Sequence, residues 1–212
     1  MGAMSVPHRA HPWHGVDVGP DAPRVLTAYI EIVPTDAVKY ELDKDSGILK
    51  IDRPQQFSNV CPTLYGFVPR SLCAEEVGRF CAERTGRSGI VGDGDPMDIC
   101  VLTERPITHG DILVRVGPIG GLRMIDGDEA DDKIVAVMED DAVFGRLEDI
   151  ADCPVAMVDR LRHYFLTYKQ APDGGPRRVE ITHVYGRDEA YEAIRRSQAD
   201  YVAAFMGAGM LR

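Results

Sequence analysis

Positive charge is in short supply in this chain. Lys and Arg number 24 against 34 Asp and Glu, leaving a formal net charge of -10 over 212 residues. Nucleic-acid backbones and anionic membranes both reward a basic surface, so neither is expected as a partner. A small phosphate compound is not excluded, because bound metal ions invert the local field. Long apolar runs are also missing: no stretch approaches the ~18 residues of a membrane span, and the first residues lack the apolar core of a signal peptide. Met1-Gly2-Ala3-Met4 reads as an addition ahead of a native start. Cysteine is limited to Cys61, Cys73, Cys81, Cys100 and Cys153, an odd number without a CxxC pair. That usage predicts reduced thiols in a cytoplasmic protein rather than disulfides or a zinc site. No serine, cysteine or histidine sits in the context of an activated nucleophile. Gly117-Pro118-Ile119-Gly120-Gly121 is not followed by Gly-Lys-Ser/Thr, which rules out a Walker loop.

What the chain does hold is acid at high local density. Val91-Gly92-Asp93-Gly94-Asp95-Pro96-Met97-Asp98 puts three carboxylates just ahead of the apolar run Ile99–Leu102. Carboxylates this close repel one another, and a fold must place cations between them or leave a proton on one. Hard oxygen donors suit Mg2+, Mn2+ or Ca2+ better than zinc. A solvated acidic turn is the plain alternative. A second cluster, Asp126-Gly127-Asp128-Glu129-Ala130-Asp131-Asp132, favours a multi-metal site instead. An EF-hand loop starting at Asp93 would match Asp95 and Glu104 but needs glycine where Asp98 stands, and a strand rather than a helix follows.

Residues 5–24, with His8, His11, Trp13 and His14, read as an irregular arm whose histidines lie on the surface. Val25–Val33 reads as a strand, and 39–43 and 48–53 as a hairpin about the turn Lys44-Asp45-Ser46-Gly47. A short helix or extended excursion is expected at 74–90. Strands follow at 99–102, 112–118, 120–125 and 133–137, a helix at 154–169, a strand at 178–184 and a C-terminal helix at 188–206. A length of 212 residues is enough for one domain with a full core or two very small ones, and a hydrophobic content of 44% is ordinary for a globular protein. The plan is a single α+β domain, a small closed β-barrel with helices outside it. Such a barrel is expected to gather Glu31, Lys39, Glu41, Asp52, Arg53, Asp93, Asp95, Asp98, Asp126, Asp131 and Lys133 around one mouth. Carboxylates with a handful of cations suit a polyanionic substrate delivered with metals, and phosphoryl transfer needs mainly alignment and charge stabilisation. An OB-fold nucleic-acid binder would need a basic groove with exposed aromatics, which the acidic clusters oppose. A calcium-buffering protein without turnover is a further alternative.

Asp93-Gly94-Asp95-Pro96-Met97-Asp98-Ile99 resembles the signature D-G-D-P-hydrophobic-D-hydrophobic of the family I soluble inorganic pyrophosphatases. Glu31-Ile32-Val33-Pro34, Lys39–Gly47 and Asp52-Arg53 resemble that family's opening hairpin. Cys61-Pro62-Thr63-Leu64-Tyr65-Gly66-Phe67 resembles its YP-x-x-YG segment with Cys61 in the tyrosine place. Asp126, Asp131 and Lys133 keep the spacing of its next metal-binding stretch, and Tyr164–Lys169 resembles its helix ending in Tyr-Lys. The resemblance implies a five-stranded OB-like β-barrel with flanking helices. It implies hydrolysis of pyrophosphate by a metal-activated water, with Asp95 as general base and Tyr65 beside the water. By the same resemblance Asp93, Asp98, Asp126 and Asp131 hold metal, and Glu31 is an outer ligand. Lys39, Arg53, Lys133, Tyr168 and Lys169 hold the two phosphates. Glu41, Asp43 and Asp52 stand behind them. The implied cofactor is Mg2+, with Mn2+ as a substitute and Ca2+ as an inhibitor. The domain is expected to run over 25–212 after the arm at 1–24. Residues 71–92 exceed the compact bacterial pattern, so self-association is expected as a dimer or a hexamer without a choice between them.

Overall fold

The computed structural model describes residues 9–55, 59–170 and 178–207. In chain order its elements are β1 (Leu26–Ile32), β2 (Val38–Leu42), β3 (Leu49–Pro54), β4 (Leu64–Phe67), α1 (Glu75–Thr85), β5 (Val91–Gly92), β6 (Asp98–Leu102), β7 (Ile112–Asp126), β8 (Glu129–Ala130), β9 (Lys133–Met138), α2 (Val155–Thr167), β10 (Val179–Gly186) and α3 (Arg187–Tyr201). A 3-10 turn at Ile150–Asp152 precedes α2, and a π turn at Val202–Met206 follows α3. The first four residues and His8 lie outside the described residues. No helix among the described residues is long and apolar enough to cross a membrane.

β1, β4, β6, β9 and β7 are hydrogen-bonded in that order, and β7 pairs back onto β1, closing a five-stranded barrel. Only the β6–β9 pairing in it is parallel. The expected α+β barrel is therefore the observed one. β2 and β3 form the separate hairpin.

Strand alternation explains the core. Leu26, Ala28, Ile30, Leu64, Ile99, Val101, Val116, Ile125, Ile134 and Ala136 come from all five barrel strands and fall in one buried cluster. The intervening Cys100, Leu102, Leu122, Met124, Val135 and Val137 point the other way and pack with Leu161 and Phe165 of α2. Buried on both faces, β6 and β9 read as apolar runs after their first residues, Asp98 and Lys133.

The two strands expected at 112–118 and 120–125 are one strand of fifteen residues, β7. Its first half pairs with β1 and its second with β10, through a bulge between Pro118 and Gly120. Glycine is needed at this corner: a Cβ on Gly121 would meet the Tyr185 ring at 2.4 Å. The Gly-Pro-Ile-Gly-Gly punctuation that suggests a break is what bends a continuous strand. The expected C-terminal helix likewise changes pitch at Val202.

α1 starts at Ala74 without a side-chain cap of its own. Asp200 of α3 supplies one, accepting from the backbone N–H of Ala74, Glu76 and Val77 at 2.9, 2.9 and 3.1 Å. Gly86 ends the helix in the left-handed region at φ 68.

The arm is more than a surface ornament. Trp13 is 4% exposed, packs with Tyr29, Phe67, Leu72 and Tyr201, and donates from Nε1 to the Ser71 carbonyl at 2.7 Å. The half-buried His11 and His14 go to separate partners, the Lys44 carbonyl and the Tyr201 hydroxyl. Replacing a buried Trp by Ala removes both transfer energy and packing. Trp13→Ala is expected to lower stability by about 3 kcal/mol or more, read as a urea midpoint by circular dichroism. A loss below about 1 kcal/mol would show that the arm lies outside the cooperative unit.

Candidate functional site

The signature loop is fixed by its backbone before its side chains act. Gly94 adopts φ 77 and donates to the Cys73 carbonyl at 2.9 Å, while Cys73 N–H donates to the Asp95 carbonyl at 2.8 Å. Asp95 N–H donates to Asp93 Oδ1 at 2.9 Å. Met97 is fully buried, its N–H donating to Ser71 Oγ at 2.8 Å and its carbonyl accepting from Val68. Residues 71–73 thus hold the loop from behind, and β6 begins at Asp98.

Topology brings the second cluster to the first. In the parallel β6–β9 pair Asp98 stands opposite Lys133. β7 ends at Asp126, Gly127 turns the chain at φ 70, and Asp131 N–H donates back to the Met124 carbonyl at 3.0 Å. Tyr65 lies on the neighbouring β4. Because Leu64, Ile99, Ile125 and Ile134 face the interior, their neighbours Tyr65, Asp98, Asp126 and Lys133 face outward. The expected barrel mouth is therefore corrected: period-two alternation sets the charged residues on the outer wall of the barrel. The β2–β3 hairpin, where Lys39 pairs across from Arg53, and the end of α2 with Tyr168 and Lys169 enclose that wall.

The twelve residues expected from the sequence to hold metal, substrate or the water line one cavity of about 240 Å³; Glu41 lines it too, and Asp43 and Asp52 do not. Its carboxylates are Glu31, Glu41, Asp93, Asp95, Asp98, Asp126, Glu129 and Asp131, eight in all. They face four cations, Lys39, Arg53, Lys133 and Lys169. Lys133 Nζ bridges Asp98 and Asp131, and Lys44 Nζ sits on Asp95. Lys169 Nζ donates to Asp126 Oδ2 at 2.7 Å, and Arg178 Nε lies 2.7 Å from Asp126 Oδ1. Lys39 is 3.2 Å from Asp52, which also holds Arg53. The Tyr65 and Phe165 rings meet at a tilt of 46° with centroids 5.9 Å apart, and the Lys133 ammonium lies over the Phe165 ring. Glu129, Lys44 and Arg178 are participants that sequence reasoning missed. Glu129 belongs to the acidic cluster already noted, but nothing local shows that the hairpin turn carries Lys44 across to Asp95.

Protonation reports the same crowding. Burial, then Asp131, pushes Asp93 up to about 8. Burial also takes Glu31 to about 8, against the opposing N–H of Leu42, which donates to its Oε1 at 2.6 Å. Burial raises Asp131 as well. Burial works to strip the Lys133 ammonium of its proton, but Asp131 and Asp98 outweigh it and hold that proton firmly. Burial and the Asp98 charge raise the Tyr65 phenol. Among the described residues no three of these acids close on one point as a metal cluster would, since lysine ammoniums stand between them. The donor set nevertheless fits hard divalent cations. It is all oxygen, over-supplied with negative charge, and it retains protons where further positive charge would go.

The comparisons with known proteins agree with this architecture. Residues 28–202 match the family model described as inorganic pyrophosphatase. An inorganic pyrophosphatase of Chlamydia trachomatis is 52% identical over 201 residues, covering 93% of this chain and 96% of that protein. A soluble inorganic pyrophosphatase of Oryza sativa is 37% identical over 204 residues, covering 96% and 85%. The crystal structure of inorganic pyrophosphatase from Thermus thermophilus matches with a TM-score of 0.75 at 31% identity, over 91% of this chain and 99% of that one. With the signature loop, the closed barrel and the acid-rich wall in agreement with these relatives, the chain belongs to the family I soluble inorganic pyrophosphatases.

Proposed function

We propose that this chain hydrolyses inorganic pyrophosphate to two phosphates by direct attack of an activated water, with Asp95 as general base. The observation that carries the reading is the one cavity in which eight carboxylates face four cations, with no serine, cysteine or histidine among the described residues that line it. Asp93, Asp98, Asp126 and Asp131, with Glu31 outside them, would hold divalent ions, Mg2+ with Mn2+ as a substitute. Such ions polarise phosphoryl oxygens and lower the pKa of water.

The chain's own residues do the rest. Lys39 and Arg53, opposite one another on the hairpin, bind one side of the substrate. Lys133, Lys169 and the Tyr168 hydroxyl bind the other, so that the diphosphate lies between two cationic groups. Tyr65 crowds the wall beside Asp98 and limits where a water sits. Asp95 takes the proton as the water attacks. Lys44 must leave Asp95 for this step, and its half-exposed side chain has room to do so. A cytoplasmic location goes with this reading and is supported by five free, buried cysteines. Self-association as a dimer or hexamer goes with it too.

Asp95→Asn is expected to cut turnover by at least ~100-fold while Mn2+ binding to the substrate-free protein stays close to that of the parent. Hydrolysis at the parent rate would remove Asp95 from the base role.

Phosphate release should require Mg2+, vanish in chelator and fall when Ca2+ is added beside Mg2+, because Ca2+ tolerates irregular coordination and places the substrate poorly. Turnover in chelator would end the proposal of metal dependence.

The pH dependence has a definite sign. Asp93 rises from 3.8, and Glu31 from 4.5, to about 8 in the fold. Between those limits the metal-free folded state binds protons that the unfolded chain releases, so stability is full on the acid side and is lost as pH rises toward 8. Divalent ions displace those protons, so their affinity should rise over the same window. Urea midpoints at pH 5 and pH 8 check this: the metal-free midpoint should be lower at pH 8, and Mg2+ should close the gap. A metal-free midpoint that rises with pH would contradict the buried protons.

A further inference from the structure

Asp131, Asp132 and Lys133 are consecutive where the chain turns into β9. Alternation sends Asp131 and Lys133 to the cavity wall and Asp132 to the opposite side, into the core. Asp132 is 3% exposed. It accepts from the Tyr185 hydroxyl at 3.0 Å and lies 3.3 Å from the guanidinium of Arg123 on β7. Arg123 is 0% exposed and donates to Glu189 of α3 at 2.9 Å. Its guanidinium lies over the Phe80 ring of α1 at 4.7 Å and the Tyr185 ring at 5.0 Å.

Stability alone does not account for this cluster. Removing two charges from water offsets most of their attraction, and well-packed apolar residues in such places are often as stable or more so. Among the described residues Arg123 Nε and Nη1 and Asp132 Oδ1 have no hydrogen-bond partner, so the pair is not even fully satisfied. What it does supply is a choice between registers. Shifting the 131–133 segment by one residue would turn Asp131 and Lys133 into the core and Asp132 into the cavity. The shift that carried Lys133 to the place of Asp132 would set a second buried cation beside Arg123, and the opposite shift, which leaves a carboxylate there, would bury Lys133 in the core place of Ile134.

We propose that Arg123 and Asp132 are positioning residues that lock the register of the metal-holding segment, with Tyr185 and Phe80 steadying them. This rests on the reading of Asp131 as a residue that holds a divalent ion. The lock also draws in α1, because this helix of the 71–92 segment reaches the cavity through the Phe80 face and the Arg123–Asp132 pair.

The test replaces the pair together, as Arg123→Met with Asp132→Leu, so that no lone charge stays buried. Urea unfolding should give a midpoint equal to or above that of the parent. Titration of the substrate-free protein with Mn2+ alone should give a Kd raised about tenfold, the scale of effects from groups behind the ligands. A stable double variant with the parent's Mn2+ affinity overturns the proposal. If the double variant does not fold, Tyr185→Phe decides, since it removes only the hydroxyl on Asp132. Measurably weaker Mn2+ binding supports the lock, and parent affinity overturns it. A parent protein that binds no Mn2+ at all would instead overturn the reading of the site on which the lock depends.

Discussion

Like-charge repulsion in a small, half-dry space governs this structure. Two carboxylates 4 Å apart repel by about 4 kcal/mol where the effective dielectric constant is near 20, and eight share the wall of one cavity. Side chains free to move would separate. They stay because their backbones are committed elsewhere. Asp98, Asp126 and Lys133 are strand ends whose neighbours Ile99, Ile125 and Ile134 are locked in the barrel core. Asp93 and Asp95 sit in a loop clamped on both sides of Gly94 by one residue, Cys73. Apolar burial inside the barrel thus supplies the free energy that holds acids together outside it.

The same alternation decides where the site is. Unpaired charges on the inward face of a five-stranded barrel would disrupt its core; Arg123 and Asp132 enter it as a pair, and the charges of the cavity collect on the outer face. There they need a roof, which the hairpin and the end of α2 provide. The roof also supplies cations: Lys39 and Arg53 come from the hairpin and Lys169 from the residues after α2. Three of the four cations therefore arrive on elements other than the strands that carry Asp98 and Asp126, while Lys133 stands among the acids on β9.

Much of this was legible in the sequence, for reasons that are local. The signature loop announces itself because three acids and two glycines ahead of Ile99–Leu102 have few other uses. Strand periods gave β1, the hairpin, β6 and β9, and the 3.6-residue period gave α2. What stayed hidden depends on contacts far apart in sequence. Gly120 and Gly121 look like a break, and only the Tyr185 ring shows why a continuous strand needs them. Trp13 looks like part of a loose arm until Ser71 and Tyr201 are found around it. Asp132 looks like one more acid in a run of acids, although its side chain points away from its neighbours. Composition counts charges but does not say which face each one takes; that requires knowing which residues are already fixed in the core.

Lys133 and Lys169, which the proposed function assigns to phosphate, here hold Asp98, Asp131 and Asp126. A lysine ammonium is a single charge on a flexible stem and neutralises a crowded acid pair only in part. The protons retained by Asp93 and Glu31 mark the remaining deficit. Divalent charge placed among the acids would remove the reason for those protons and for the inward lean of the lysines together. The acids and lysines are thus coupled as counter-ions to one another, and a change that strengthens the lysine–carboxylate pairs should weaken the hold of the site on both metal and phosphate.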